Sequence, residues 1–436
     1  MRVCTIGTGY VGLVTAAALA ESGNHVNAID SDAARIARLQ NGGLPLYEPG
    51  LEELVVSNVL RRRLEFSTDL RAAVADAEVV FVAVGTPARL DGSADLAAVD
   101  SVADTVAAAA TRELVLVLKS TVPVGTNARV RRCVEGAAHR VHVVSNPEFL
   151  REGEAVQDFL RPDRIVLGCE DGDHFARDVL ERLYHPYCLD RNRTLWMDPR
   201  SAELTKYVAN TMLAMRISLM NEVAALCERV EADVHHVRLG VGADERIGAK
   251  FLYAGPGYGG SCFSKDVQAL VHIGAEHGLE LELASATERV NHRQRGVVLQ
   301  KLEQHFGGDL RGKRVLVWGV AFKPKTDDVR EAPSLTLIEG LLAAGATVVA
   351  HDPKAGAEVA RRFGARVLVV DDAYEGAEGA DALALMTEWR EYQNPDFDEL
   401  ARRMRRPLVI DARNIWSGYG LRRRGFEYDG IGVRGS

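Results

Sequence analysis

The sequence predicts an α/β protein, with two doubly wound parallel-sheet domains joined by a long central helix. Three observations predict it. Through the first part of the chain, apolar runs that read as strands alternate with helical stretches, and each run ends in glycine, proline or small polar residues. That is the pattern of a parallel sheet with helices on its faces. Near residue 310 a second strand–glycine–helix–strand succession begins. Between the two, Ser201 to Val230 contains neither glycine nor proline, so it reads as one unbroken helix.

The first strand, Val3–Ile6, runs into Gly7-Thr8-Gly9-Tyr10-Val11-Gly12. An alanine-rich helix, Leu13 to Ser22, follows, and a second strand, His25–Ile29, ends at Asp30. A glycine fingerprint between a strand and a helix, with an acid 18 positions after its last glycine, is the Rossmann dinucleotide signature. The glycines let backbone approach a pyrophosphate at the helix N-terminus, and Asp30 suits a ribose 2′-hydroxyl and repels a 2′-phosphate. NAD is therefore the expected cofactor. Further strands follow at Glu78–Val84, Leu114–Leu118 and Val141–Val144. They end in Gly85-Thr86-Pro87, Lys119-Ser120-Thr121-Val122-Pro123 and Ser145-Asn146-Pro147-Glu148-Phe149-Leu150. Ligands of such sheets sit at the strand carboxyl ends, which makes Thr121, Glu148 and Glu152 candidates for polar work. Taken alone, the same residues serve turns and helix starts equally well.

The helix from Ser201 is dense in apolar residues, more than one stripe requires, so burial on several sides and a subunit interface are expected. Lys206 and Asn210 share one face, and a lysine in such surroundings needs a partner or a task. Gly255-Pro-Gly-Tyr-Gly-Gly-Ser-Cys-Phe-Ser-Lys-Asp266 has four glycines in six residues, which rules out a helix interior. It is either a turn ahead of a buried cysteine or a site, since a cysteine at a helix start beside a lysine is readily activated. The helix itself is expected from Lys265 to His277. In the C-terminal part, Val315–Val320, Ser334–Ala344, Thr347–Ala350 and Asp352 form a Rossmann-like unit without the full glycine fingerprint, which suits a mononucleotide. The polar run Phe322-Lys323-Pro324-Lys325 lies where its phosphate-binding turn would be.

At 436 residues the chain exceeds one core, and the expected domains are 1–199, 200–309 and 310–436. A composition of 47% hydrophobic and 26% charged residues is that of a soluble globular protein. The net charge of −8 argues against nucleic acid or an anionic membrane as a partner. No apolar run approaches the ~18 residues of a membrane span, and Met1-Arg2 leads straight into a strand, so a cytoplasmic protein without a signal peptide is expected. Six cysteines without a CxxC pair suggest neither a metal site nor a disulfide framework. Only nine of the 53 basic residues are lysine. Lys119, Lys206, Lys265 and Lys323 all fall in the segments above.

In order along the chain stand Gly7-x-Gly9-Tyr10-Val11-Gly12, Tyr47-Glu48-Pro49-Gly50-Leu51, Gly85-Thr86-Pro87, Lys119-Ser120-Thr121-Val122-Pro123, Asn146-Pro147-Glu148-Phe149-Leu150 and the Gly255–Asp266 stretch. Together they resemble the UDP-glucose 6-dehydrogenase family of nucleotide-sugar dehydrogenases, from the first strand to about Asp411. The resemblance implies NAD-dependent, four-electron oxidation of UDP-glucose to UDP-glucuronate through a thiohemiacetal and thioester on Cys262, yielding two NADH. The same oxidation of GDP-mannose or a UDP-N-acetylhexosamine is the alternative; a non-catalytic NAD- and nucleotide-binding regulator is the rival of another class. Catalysis is implied for Cys262, Lys206, Asp266, Asn210, Thr121 and Glu152. Cofactor binding is implied for Gly7, Gly9, Tyr10, Val11, Gly12, Asp30, Arg35, Thr86, Thr121, Lys265 and Arg330. Substrate binding falls to Glu148, Phe149, Leu150, Glu152, Lys206, Asn210, Phe251, Tyr253, Gly257, Tyr258, Gly259, Lys323 and Arg413. Arg246 is expected to act on the substrate of a neighbouring subunit, in a homodimer or larger homo-oligomer built on the central helix. One departure stands out: position 264 is serine, where the family commonly has proline. Serine suits an N-cap, so the helix is expected to start one residue later.

Overall fold

The computed structural model describes all residues except 88, 90–92 and 434–436. The chain forms two compact units, Met1–Ala209 and Asn210–Ser436. In the first, the strands are β1 (Arg2–Ile6), β2 (His25–Ile29), β3 (Leu64–Ser67), β4 (Val79–Val82), β5 (Leu114–Leu118), β6 (Val141–Ser145), β7 (Ile165–Gly168) and β8 (Thr194–Met197). They form one sheet in the order β3-β2-β1-β4-β5-β6-β7-β8. Its pairs are parallel except β6–β7. Strands β4 and β5 are buried along their whole length, which is why they read as continuous apolar runs without alternation. Separate apolar clusters cover the two faces, one built around Leu13, Leu19 and Phe81, the other around Val80, Leu116 and Val130.

The helix Tyr10–Glu21 is buried from Gly12 through Ala20. Its alanines pack together with Leu13, Val14 and Leu19 into the apolar cluster on that face of the sheet. β1 and β4 are neighbours, although β4 follows β2 and β3 in sequence. The connections therefore diverge on either side of this pair, opening a crevice at the strand carboxyl ends.

The second unit holds β9 (Arg314–Trp318), β10 (Thr347–His351), β11 (Val367–Val369), β12 (Ala382–Leu385), β13 (Leu408–Asp411) and β14 (Glu427–Gly430). They form an all-parallel sheet in the order β11-β10-β9-β12-β13-β14. Its core includes stacked aromatics: Trp318 lies on Tyr392 with centroids 4.9 Å apart and meets Trp416 edge-on.

The boundary between units falls inside the 32-residue helix Pro199–Val230. The expectation that this helix is buried on several sides is corrected. Leu204, Val208, Met212, Leu219, Leu226 and Val230 are all exposed, from 39% to 60%. Their spacing of four or seven residues places them along one face. High apolar density signalled a covered helix without indicating that this chain alone leaves one face open.

Candidate active site

In the first unit, Gly9 caps the helix Tyr10–Glu21 with no side-chain hydrogen bond, and the first turn carries no acid. Its first N–H groups thus face outward without a protein side-chain cap, which is a ready anion cradle. A Cβ at Gly12 would lie 1.8 Å from Gly7 O, and one at Gly7 2.5 Å from Ala83 O, while the Cβ position of Gly9 has nothing within 4 Å. Two glycines are therefore required by packing, and the third leaves open space. Tyr10 and Val11 begin the helix.

Asp30, at the end of β2, accepts hydrogen bonds from the Thr8 N–H at 2.8 Å and hydroxyl at 2.9 Å. It also accepts the Asp32 N–H and pairs with Arg35 at 3.1 Å. Burial resists its ionisation, but these donors outweigh burial and hold its pKa below the ordinary range. Asp30 is thus tied to the glycine turn through Thr8, with Arg35 beside it. Thr86 donates to Thr121 O at 2.8 Å, bringing those two candidates together after β4 and β5.

Beyond β5 and β6 lies a buried charge cluster. Lys206 Nζ is 2.8 Å from Glu148 Oε1, with both side chains under 10% exposed. The other carboxylate oxygen accepts the Leu150 N–H at 2.6 Å. Burial pushes the Glu148 pKa up, yet the Lys206 charge and hydrogen bond, the Leu150 N–H and the Lys119 charge bring it below the usual value. Lys119 donates to Asn146 Oδ1 at 3.0 Å. Burial, opposed by Glu148 and reinforced by Lys206, lowers its pKa to about 8. The Phe149 ring lies under the Arg164 guanidinium at 3.8 Å and 5.6 Å from Lys206 Nζ. Glu152 is half-buried in the same loop, and its charge reaches Tyr10.

In the second unit, Cys262 caps the helix Phe263–Glu276, with its sulfur 3.6 Å from Ser261 Oγ. Asp266 donates its N–H to Cys262 O at 2.9 Å, and its carboxylate accepts from Asn210 Nδ2 at 2.6 Å. The other carboxylate oxygen is 3.2 Å from Lys265 Nζ, close enough to pair but outside hydrogen-bond geometry. Asp266 is 1% exposed. The expected serine cap does not form. The helix begins at Phe263, and Ser264 sits inside its first turn, accepting from Arg295 Nη2 at 3.2 Å. Arg295, at the C-cap of the next helix, Glu282–Gln294, engages the hydroxyl at this inner position.

The glycine stretch ahead of Cys262 is held on all sides. Asn291 accepts the Tyr258 N–H at 2.8 Å and donates to Tyr258 O at 3.1 Å, while Tyr258 OH donates to Glu288 at 2.8 Å. A Cβ at Gly257 would meet Asn291 at 2.8 Å, and one at Gly259 would meet Glu331 O at 2.5 Å. Gly260 donates its N–H to Arg330 O at 2.8 Å, which brings the Lys323–Arg330 segment to this loop. Arg413 donates to Met386 O at 2.7 Å and Phe322 O at 3.1 Å and pairs with Glu388 at 3.0 Å, so it braces the loop's surroundings. Lys323 lies 5.3 Å from the Phe322 ring centre, and the Arg330 side chain pairs with Asp328. Phe251 faces Phe263 at 6.3 Å. Tyr253, under Arg238, is exposed, and the Arg246 side chain is 88% exposed with its guanidinium on Asp244.

Buried Lys119 and Glu48 and half-buried Arg164 lie beside these candidates without having been singled out as such from sequence. Lys119 had a signal, as one of nine lysines at a strand end. Glu48 lies in the Tyr-Glu-Pro-Gly motif but had no local chemistry to mark it. Arg164 had none, because its stacking on Phe149 depends on the fold. Among the described residues, no helix is long and apolar enough to cross a membrane.

Three successive family descriptions match the chain: the UDP-glucose/GDP-mannose dehydrogenase family NAD binding domain at residues 1–188, its central domain at 200–293 and its UDP binding domain at 316–418. A UDP-glucose 6-dehydrogenase of Pseudomonas aeruginosa is 48% identical, over 99% of this chain and 97% of that protein. One from Rhizobium meliloti is 46% identical over 99% of each. Among solved structures, a UDP-glucose dehydrogenase of Pyrobaculum islandicum aligns with a TM-score of 0.91 at 39% identity, covering 99% of this chain and 98% of that one. The uncapped glycine turn with its aspartate, and matches that run from the first strand past the last glycine loop, lead to one conclusion: the chain belongs to the UDP-glucose/GDP-mannose dehydrogenase family and is an NAD-dependent dehydrogenase.

Proposed function

We propose that the protein oxidises the C6 hydroxymethyl group of UDP-glucose to the carboxylate of UDP-glucuronate, by way of a covalent intermediate on Cys262. The observation that carries this reading is a thiol at a helix start with a buried carboxylate one turn on. Cys262 caps its helix, and Asp266 is fixed by Asn210 at 2.6 Å. An alcohol-to-aldehyde step alone needs no nucleophile; a thiol is useful when oxidation continues to the acid. The named relatives at 46–48% identity support the substrate.

The first unit fits NAD. The uncapped N-terminus after Gly9 suits the pyrophosphate, and Asp30, held ionised by Thr8 and Arg35, suits the ribose hydroxyls. When bound, NAD accepts the hydride in each oxidation. The chain's residues do the rest. Removal of the C6 hydroxyl proton and a hydride gives the aldehyde. Cys262 adds its sulfur to the aldehyde carbon, and Lys206 with Asn210 stabilises the oxygen that gains charge. Loss of the second hydride leaves a thioester, and water, held by Thr121 and Glu152 with Asp266, cleaves the carbon–sulfur bond and returns the thiol. Glu148 serves substrate binding and proton transfer. The nucleotide end falls to Lys323, Arg413 and the Gly257–Gly259 backbone.

Functionally the chain divides into residues 1–199 for the cofactor, 200–309 for the thiol and subunit contact, and 310–436 for the nucleotide. The exposed stripe from Leu204 to Val230 suits a second copy of the chain, and Arg246, exposed, suits that copy's substrate. The protein works in the cytoplasm. Incubation with UDP-glucose and excess NAD is expected to yield two NADH per sugar at completion. One per sugar would remove the thioester, and no NADH with UDP-glucose but product with another nucleotide sugar would reassign the substrate. Cys262→Ser is expected to lower turnover roughly 10³-fold or more.

A further inference from the structure

The Tyr47-Glu48-Pro49-Gly50 stretch has no part in the chemistry above, yet its carboxylate is 5% exposed and gathers three segments. Glu48 Oε2 accepts the Gly153 N–H at 2.6 Å, and Oε1 accepts the Ala155 N–H at 2.8 Å. The Tyr10 hydroxyl donates to Oε2 and itself accepts from the Gly153 N–H at 3.0 Å. Tyr10 is the first residue of the helix that opens the dinucleotide turn. Gly153 directly follows Glu152, and Ala155 starts the helix Ala155–Leu160. Burial pushes the Glu48 pKa up, against the pull of these donors.

We propose that Glu48 is a positioning residue: it bolts the loop bearing Glu148 and Glu152 to the dinucleotide turn, so that cofactor in the turn steadies those two carboxylates. The proposal rests on the reading of Glu148 and Glu152 as active-site groups. The geometry also explains why the bolt is a carboxylate. Both oxygens accept, one from Gly153 and Tyr10, the other from Ala155. Glutamine has a single acceptor oxygen, so its NH₂ would face either the Gly153 or the Ala155 N–H, donor against donor.

The test uses the full-length enzyme. Glu48→Gln is expected to lower kcat roughly 10- to 100-fold at a temperature well below its melting transition, the cost of a small misplacement of reacting groups. In the wild type, NADH is expected to slow hydrogen exchange at the Gly153 and Ala155 amides; in Glu48→Gln that slowing is expected to vanish while NADH still binds. Tyr10→Phe keeps both backbone N–H acceptors, so it is expected to lose roughly threefold to tenfold in kcat and part of the NADH-dependent protection. A Glu48→Gln enzyme with lower melting temperature but wild-type kcat and wild-type NADH-dependent protection would overturn the proposal. Should that variant not fold, unchanged protection in Tyr10→Phe would overturn it instead. The exchange measurement needs no substrate, so it decides the question even if the wild type fails to oxidise UDP-glucose.

Discussion

The two units repeat one strand order and then use it differently. In each, an aspartate at the end of the second strand reaches back to the turn after the first: Asp30 to the Thr8 N–H, and Asp352 to the Val320 and Ala321 N–H groups at 2.7 and 3.0 Å. In the first unit the helix starts at Tyr10, directly after the glycine turn, and its N-terminus is open. In the second the helix Pro333–Ala343 begins far from the end of β9 at Trp318, and the loop between carries Lys323 and Arg330. Asp352 is also enclosed, accepting in addition from Trp389 Nε1 and the Lys354 and Ala355 N–H groups. The difference teaches that topology sets where a ligand is received, and the length of one connection sets whether backbone or side chains receive it.

The comparison breaks most sharply at the glycine turn. Gly12→Val places a branched side chain where a Cβ alone would lie 1.8 Å from Gly7 O. NADH affinity, followed by its fluorescence, is expected to fall roughly 100-fold or more, since the turn must open. Binding within tenfold of wild type would show that the turn tolerates a shift its packing forbids.

The two aspartates sharpen the contrast next. Asp352→Asn replaces one of two fully engaged oxygens with a donor, and is expected to cost about 1–3 kcal/mol in denaturant unfolding, with NADH affinity unchanged. Asp30→Asn is expected to weaken NADH roughly tenfold, about 1.4 kcal/mol, and to narrow the preference for NADH over NADPH. If Asp352→Asn instead altered cofactor binding with no loss of stability, the two residues would not differ in kind.

The smallest effect belongs to Lys119. Its folded pKa of about 8 lies below its ordinary 10.5, lowered by burial. Between those values the unfolded chain holds a proton that the folded protein has released, so this residue makes stability rise with pH across that window. Lys119→Met is expected to remove that rise in unfolding experiments at pH 8 and pH 10. An unchanged slope would mean that Lys119 stays protonated in the fold.

Sequence revealed these units unevenly, for physical reasons. β5 was legible to the residue, because a central parallel strand is an unbroken apolar run closed by a polar turn. β3, β7, β8, β11, β12 and β14 were not anticipated: each runs only three or four residues, too short for a clear periodicity, and β8 carries mixed burial besides. The glycine turn and Asp30 were legible because their chemistry is local. The Lys119–Glu148–Lys206 cluster was visible only as separate candidates, since its members meet only after β5 and β6 pair. Ser264 misled, because a capping preference does not by itself say where the helix starts, and it starts at Phe263.

The glycine loop before Cys262 has one further consequence. Asn221, Asn291 and Gln294 hold Gly255 and Tyr258 by their backbone groups, and Arg330 O holds Gly260. The loop's conformational entropy is therefore surrendered during folding, before any ligand arrives. A ligand meeting that loop finds a finished surface, and its association need not wait for the loop to find its shape.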